Sequence, residues 1–241
     1  MANDYYKRAF VAGASGAIGE ILCQLLLADG WHVVGTTRSN EKAARLQNLE
    51  VQPVVIDVFD RPALIQAVCD AKPDVVVNQL TDLPRKFTPE NMAAAQVRNA
   101  RIRDTGTKNL VDAAIAAGAT RIVSQSIAFA YLPGPLPYSE DAPLDTVEHP
   151  SIIKLEEYVL GCGLIGIILR YGRLYGPNTW SMDPPKEAPV HVDAAANAAR
   201  LSMNRGSSGV YNIAEDDGTV SITKAMQELN WNPDFRVSWP V

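Results

Sequence analysis

Cysteine is scarce in this chain of 241 residues, which holds only Cys23, Cys69 and Cys162. None of the three has the short spacing of a metal-binding pair, and an odd number cannot all pair internally. A disulfide scaffold and a cysteine-built metal centre are therefore excluded. Cys23 and Cys69 fall on apolar helical faces, which predicts reduced, buried thiols. Long hydrophobic runs are missing too: no stretch reaches the roughly eighteen apolar residues that a membrane-spanning helix needs. The opening segment, Met1 to Arg8, is polar and lacks an apolar signal core, so a cytoplasmic location is expected. Nor is positive charge in excess. A formal net charge of −5 gives neither nucleic acid nor an anionic membrane a reason to bind.

What is present is an ordinary globular composition, 47% hydrophobic and 20% charged. The length suits one large α/β domain, with at most a small appendage. The most informative stretch is Val11-Ala12-Gly13-Ala14-Ser15-Gly16-Ala17-Ile18-Gly19. Arg8 to Ala12 reads as a short buried strand and Ala17 to Asp29 as a helix, with a second strand over Trp31 to Thr36. Gly13 lets the chain reverse, Gly16 lets backbone amides approach a pyrophosphate, and Gly19 lets the helix pack closely on the strand. The amides and the positive helix end then face phosphates. Strand, glycine turn, helix and second strand together are the context of a dinucleotide-binding fingerprint. Its candidate contacts are Gly13, Ser15, Gly16, Ala17, Ile18 and Gly19.

Strand and helix patterns alternate through the first two-thirds of the chain, which predicts a parallel sheet with helices on both faces. The second strand ends in Thr36-Thr37-Arg38-Ser39, with a guanidinium where an NAD site places a carboxylate. Arg38 and Ser39 are thus candidate contacts for the extra phosphate of NADP; the alternative is a solvated surface arginine. The helix Glu41 to Asn48, the strand Val51 to Ile56, the helix Arg61 to Ala71 and a buried strand over Pro73 to Val77 follow. A long helix, Pro89 to Ala117, is broken or bent near Gly106. Its basic first half carries Arg98, Arg101 and Arg103: most of these read as a solvated face with helical ion pairs, and one is left to reach an anionic substrate. Strand Thr120 to Ser124 precedes a loop rich in proline and acid, Leu132 to Pro150, whose composition forms a surface excursion. Helix Ser151 to Leu160, strand Leu164 to Leu169, helix Ala194 to Met203 capped by Asp193, strand Gly209 to Ala214 and helix Ile222 to Leu229 complete the order.

The glycine spacing resembles the short-chain dehydrogenase/reductase superfamily. Gly106-Thr107-Lys108-Asn109-Leu110-Val111-Asp112-Ala113-Ala114 and Arg170-Tyr171-Gly172-Arg173-Leu174-Tyr175-Gly176-Pro177-Asn178 resemble its extended, epimerase/dehydratase-like branch. The resemblance implies a Rossmann-type, doubly wound parallel sheet in a single domain over residues 1–241, with residues 171–241 adding a trimmed substrate lobe. About a dozen residues lie between Asn178 and His191, so the pocket is expected to be smaller or more open than a nucleotide-sugar would need. It also implies that Asp57 and Val58 meet the adenine. Gln79, Leu80 and Thr81, with Ser124 and Tyr171, would line the cofactor further in. Ser126 would hydrogen-bond the substrate, unless a one-residue shift puts Ile127 there, and Lys154 would hold the nicotinamide ribose. Pairing of two copies through the long helix and the Lys154 helix is implied as well.

One part of the family pattern is absent. Its oxidoreductases use Tyr-x-x-x-Lys on one helix, yet Pro150 stands four residues before Lys154 and no tyrosine has a lysine four residues on. Tyr131, Tyr171, Tyr175, His149 and His191 are the groups available to carry the proton instead, with Tyr131 the candidate named beside Ser126 and Lys154. The chain then reads as an NADP-preferring (or NAD-using) oxidoreductase or epimerase of a small hydroxyl or carbonyl compound. A cofactor-binding redox sensor without turnover, or a structural partner stabilised by the cofactor, are the alternatives.

Overall fold

The computed structural model describes residues 7–84 and 88–238; Met1 to Tyr6 of the expected polar leader lie outside them. Seven strands form one parallel sheet: β1 (Arg8–Ala12), β2 (His32–Thr37), β3 (Gln52–Val55), β4 (Val75–Asn78), β5 (Arg121–Ile127), β6 (Ile165–Tyr171) and β9 (Gly209–Ile213), in the order β3-β2-β1-β4-β5-β6-β9. Side chains alternate across a strand, so neighbours in β1 feed opposite cores. Val11 packs toward α1 (Ala17–Ala28) and α7 (Val192–Ser202), while Phe10 packs toward α3 (Arg61–Ala71), α5 (Thr107–Ala116) and α6 (Pro150–Leu160). Buried on both faces, the strands read as continuous apolar runs. This is the expected doubly wound α/β architecture.

The helix starts follow capping chemistry. Ser39 opens α2 (Asn40–Asn48), accepting a hydrogen bond from Lys42 N at 3.3 Å. Asp60 does the same for α3 through Ala63 N at 3.2 Å. Thr88 caps α4 (Pro89–Arg101), accepting from Asn91 N at 3.2 Å. The long helix does break where expected, but by widening: Ile102–Gly106 is a π-helical segment between α4 and α5. A Cβ on Gly106 would lie 3.2 Å from Val58 Cγ1, so glycine lets this segment press on the β3 end. Asp193 is not the cap of α7. The cap is His191, whose Nδ1 accepts from Asp193 N at 3.2 Å, because the helix begins two residues earlier than the sequence suggests.

Residues 171–241 contribute more to the core than to a lobe. β9 completes the main sheet and α7 packs on α1. What stands apart is a two-stranded parallel sheet of β7 (Arg173–Tyr175) and β8 (Pro189–His191). The expected last helix is present as a π-helical segment, Ala225–Leu229. Cys23 is buried, and burial, helped by Glu20, pushes its thiol up to about 12, so it stays protonated. Cys69 is only half-buried, and all three cysteines are unpaired.

The contact that seats α1 leaves no room for a side chain. A Cβ on Gly19 would run into Gly13 O and come within 2.9 Å of Ala14 Cα. Gly19→Ala is expected to destabilise the protein by about 1–3 kcal/mol, as overpacking does. A denaturant midpoint equal to the wild type would show that the helix yields instead.

Candidate cofactor cleft and active site

A cleft of about 260 Å³ opens beyond the carboxyl ends of β1 to β4. The strand order reverses between β1 and β4, and open α/β sheets bind ligands at such a switch point. Gly13, with φ +86°, turns the chain out of β1, and a Cβ there would meet Gln79 O at 2.6 Å. Gly16 is the N-cap of α1 and supplies no side-chain hydrogen bond. The first-turn amides of Ala17, Ile18 and Gly19 therefore lack an intrahelical or capping partner. That is an anion-binding end. Beside it, Gly13 N donates to Thr36 Oγ1 at 3.2 Å and the Ser15 hydroxyl donates to Thr37 Oγ1 at 3.2 Å, tying the turn to β2.

Arg38 and Ser39 line the next part of the cleft, as does Lys42. Lys42 is a cleft residue the sequence reading missed, although its signal was available. Ser39 as N-cap puts Lys42 in the first turn of α2, four residues beyond Arg38. Arg38 Nη1 lies 3.3 Å from Asp82 Oδ2, which also takes Arg98 Nε at 3.3 Å. Asp57 and Val58 line the far wall, with Asp57 Oδ1 accepting from Phe59 N at 3.0 Å.

Gln79, Leu80 and Thr81 form the wall after β4. Gln79 is nearly buried; its Nε2 donates to the Tyr171 hydroxyl at 3.1 Å, and its Oε1 has no partner among the described residues. A buried acceptor without a donor is rare and calls for one. Tyr171 sits behind Gln79, and burial pushes its phenol up, so it stays protonated. Ser124 does not reach the cleft. It is a fully buried strut, accepting from Asn78 Nδ2 at 3.1 Å and donating to Gln125 O at 3.3 Å.

The two remaining catalytic candidates meet in a buried network. β5 extends past Ser124 to Ile127, so Ser126 lies within the strand. Its hydroxyl donates to Glu156 Oε1 at 2.7 Å. Glu156 in turn accepts two hydrogen bonds from Arg170, from Nε at 2.9 Å and from Nη2 at 2.7 Å. Arg170 also donates to the Tyr131 hydroxyl at 2.9 Å, and Tyr131 donates to Asn212 Oδ1 at 2.6 Å. Burial opposes the charge on Arg170, but the Glu156 hydrogen bonds outweigh it and hold the guanidinium protonated. Tyr131 is raised by burial. With its proton given to Asn212 and a lone pair to Arg170, it has none to offer a substrate.

Lys154 is not part of either assembly. Its ammonium is 2.8 Å from Asp104 Oδ2, its side chain is 54% exposed, and Tyr158 donates to the other Asp104 oxygen at 3.0 Å. The hydrogen bond from Lys154 holds Asp104 down, and the same bond holds Lys154 up. Helix phase explains the placement. The α6 residues turned toward β5 and β6 are Ile152 and Glu156, both buried and four apart. Lys154, midway between them, faces α4 and the π segment. So the helix face opposite Ser126 carries neither tyrosine nor lysine, and the expected ribose contact by Lys154 is corrected.

The fold and this cleft define a nicotinamide-dinucleotide-binding protein of the extended short-chain dehydrogenase/reductase type. The chain belongs to the NAD(P)H-binding family, which matches residues 13–181. It is 38% identical over 239 aligned residues to a 3-diazoavenalumate denitrifying reductase from Streptomyces sp., covering 87% of this chain and 76% of that protein. It is 33% identical over 208 residues to a UDP-glucose 4-epimerase of Mycolicibacterium smegmatis, covering 76% of this chain but only 60% of the epimerase. Its fold superimposes on the crystal structure of UDP-glucose 4-epimerase from Thermotoga maritima with a TM-score of 0.79, at 17% identity, over 95% of this chain and 94% of that one. The relatives make the chain an NAD(P)-dependent oxidoreductase in the broad sense. Among the described residues no helix is long and apolar enough to cross a membrane, and no cluster that could hold a metal ion occurs.

The residues fit a dinucleotide. The cradle at Gly13 and Gly16 leaves room for phosphates, and the orphaned Gln79 Oε1 offers an acceptor to a sugar hydroxyl. Gly16→Val is expected to leave the protein folded while weakening cofactor binding at least tenfold, read by circular dichroism and cofactor titration. Lys154→Met should leave the cofactor Kd within about twofold of the wild type; a tenfold loss would return Lys154 to the cleft.

Proposed function

We propose that the protein is an NADPH-dependent reductase whose acceptor needs no proton from a protein tyrosine. The observation that carries this reading is the α6 face opposite Ser126, which presents Ile152 and Glu156 and no tyrosine or lysine. When bound, the nicotinamide supplies a hydride. Reduction of a carbonyl must also place a proton on oxygen, and general acid catalysis of such a transfer contributes roughly two to four decades of rate. Tyr131 is unsuited to that task, since its hydroxyl is already engaged on both sides.

An aryl diazonium avoids the requirement. It is a cation before reduction, and on reduction its carbon exchanges N2 for hydrogen with no net proton taken up. The reductase relative carries both a diazo group and denitrification in its name, which supports this acceptor class over the hydroxyl, carbonyl or sugar-derived substrates read from sequence. Ser126, Glu156 and Arg170 serve here by fixing α6 against β5 and β6, and so by shaping a floor that excludes water.

Preference for NADPH rests on Arg38 and Lys42, two cations beyond a β2 end that itself carries no carboxylate, with Arg38 held by Asp82 at 3.3 Å. Both side chains are exposed, so each contact with a phosphate contributes about 1 kcal/mol rather than the larger figure of a desolvated pair. Arg38→Ala and Lys42→Met should each weaken NADPH several-fold and leave NADH nearly unchanged. Equal affinities for the two cofactors in the wild type would sink the preference.

The activity itself is tested with NADPH against three acceptors: an aryl diazonium, an aryl aldehyde and UDP-glucose. NADPH oxidation with N2 release on the diazonium alone is expected, and in D2O the new carbon–hydrogen bond should carry no deuterium. Turnover of the aldehyde without the diazonium would overturn this acceptor class. Tight NADPH binding with no turnover of any acceptor would favour the sensor role.

A further inference from the structure

Three arginines lie in sequence on α4 and the π segment, and the structure treats them differently. Arg98 Nε pairs with Asp82 at 3.3 Å, and Arg101 stacks 3.8 Å over the Phe59 ring. Arg103 is half-buried and has no hydrogen bond, ion pair or ring contact among the described residues. Burial alone acts on it, pulling its guanidinium down from the ordinary arginine range. A charge removed from water without a counter-ion is unfavourable, and such sites are normally paired.

Its direction follows from its neighbours on the same helix face. Four residues before it, Asn99 Oδ1 accepts from Asp82 N at 2.8 Å, in the loop after β4. Four residues after it, Thr107 Oγ1 accepts from Asn78 Nδ2 at 3.2 Å, at the end of β4 itself. Arg103 lies between these two contacts, so it is turned toward the carboxyl end of β4, next in sequence to Ile102, which lines the cofactor cleft. The carboxylates around it already have cations: Asp82 has Arg38 and Arg98, Asp104 has Lys154, and Glu156 has Arg170.

We propose that Arg103 is a carboxylate-binding residue of the substrate site, and that the acceptor is a small aromatic acid held there by a guanidinium–carboxylate pair. This deepens the reductase reading and rests on it for the place of the acceptor. One fork of donors matches a carboxylate in a bidentate pair. The other cations of these helices are engaged, Arg98 with Asp82, Arg101 on Phe59 and Lys154 with Asp104, so one guanidinium rather than the pair a phosphate dianion would favour is left for a ligand. The cofactor's own phosphates are met elsewhere, by the first turn of α1 and by Arg38 and Lys42.

The test compares 4-hydroxycinnamate with its neutral amide, a pair of nearly equal size, by titration of the protein with and without NADPH. Wild type is expected to bind the acid at least tenfold more tightly than the amide. Arg103→Met should abolish that difference, and Arg103→Lys should keep part of it, with thermal midpoints and NADPH affinity unchanged in both variants. Wild type that fails to prefer the acid overturns the proposal, as does an Arg103→Met protein that still prefers it. A loss of NADPH affinity in Arg103→Met overturns it too, by assigning the charge to the cofactor. Failure of the wild type to bind NADPH sinks the reductase reading instead, while the acid-over-amide preference is read on the cofactor-free protein.

Discussion

The structure depends first on how closely α1 can approach the turn that precedes it. Gly19 rests against Gly13 O, and Gly13 rests against Gln79 O, so two missing Cβ atoms bring β1, α1 and the end of β4 together. Moving α1 outward by even a methyl group would open the gap between its first turn and β4. The phosphate end of the cleft and the Gln79 wall are thus set by one packing contact. The same contact carries the core, because Leu22, Cys23 and Leu26 of α1 reach full burial only at that distance. Close packing makes such a site unforgiving of added volume.

The second constraint is the Glu156–Arg170 pair, which joins α6 to β6 in the interior. A buried ion pair is weak evidence of added stability, but breaking one by removing a single partner is costly. Here it fixes the rotation of α6 as well. With Glu156 held by Ser126 and Arg170, Ile152 must face the sheet and Lys154 must face outward. The loss of the family's tyrosine and lysine is therefore not a local substitution within an intact site. The helix presents a different surface, apolar at Ile152 and occupied at Glu156.

The sequence made the first half of the molecule legible and the second half much less so. A glycine at 13 with a strand before it and a helix after it admits few conformations, and the parallel sheet followed from alternation alone. Lys154 was misplaced because its neighbours in sequence resemble a motif, whereas its direction depends on helix phase. That phase was in fact readable. Ile152, Leu155, Glu156 and Val159 carry the buried spacing, with an acid among them that only a buried partner explains. Lys42 is legible only through the Ser39 cap, which fixes the residue three positions on in the first turn of α2. Whether Arg98, Arg101 or Arg103 lacked a partner could not be read at all, since their partners Asp82 and Phe59 come from other segments.

The charges now fall into a pattern that the overall balance of −5 conceals. Arg38 and Lys42 line the cleft together with the neutral wall of Gln79 and Leu80, and Arg103 follows Ile102 of its lining in sequence. On the proposed reading Arg38 and Lys42 are matched by the cofactor's phosphate, so an acceptor carrying a carboxylate and a diazonium meets one unmatched cation, Arg103. The favourable orientation then puts the carboxylate at Arg103 and the diazonium away from it. A neutral carbonyl compound would feel no such orienting field. The attraction between unlike charges is short-ranged in water but stronger in a half-buried site. An unpaired guanidinium would then contribute direction as well as affinity.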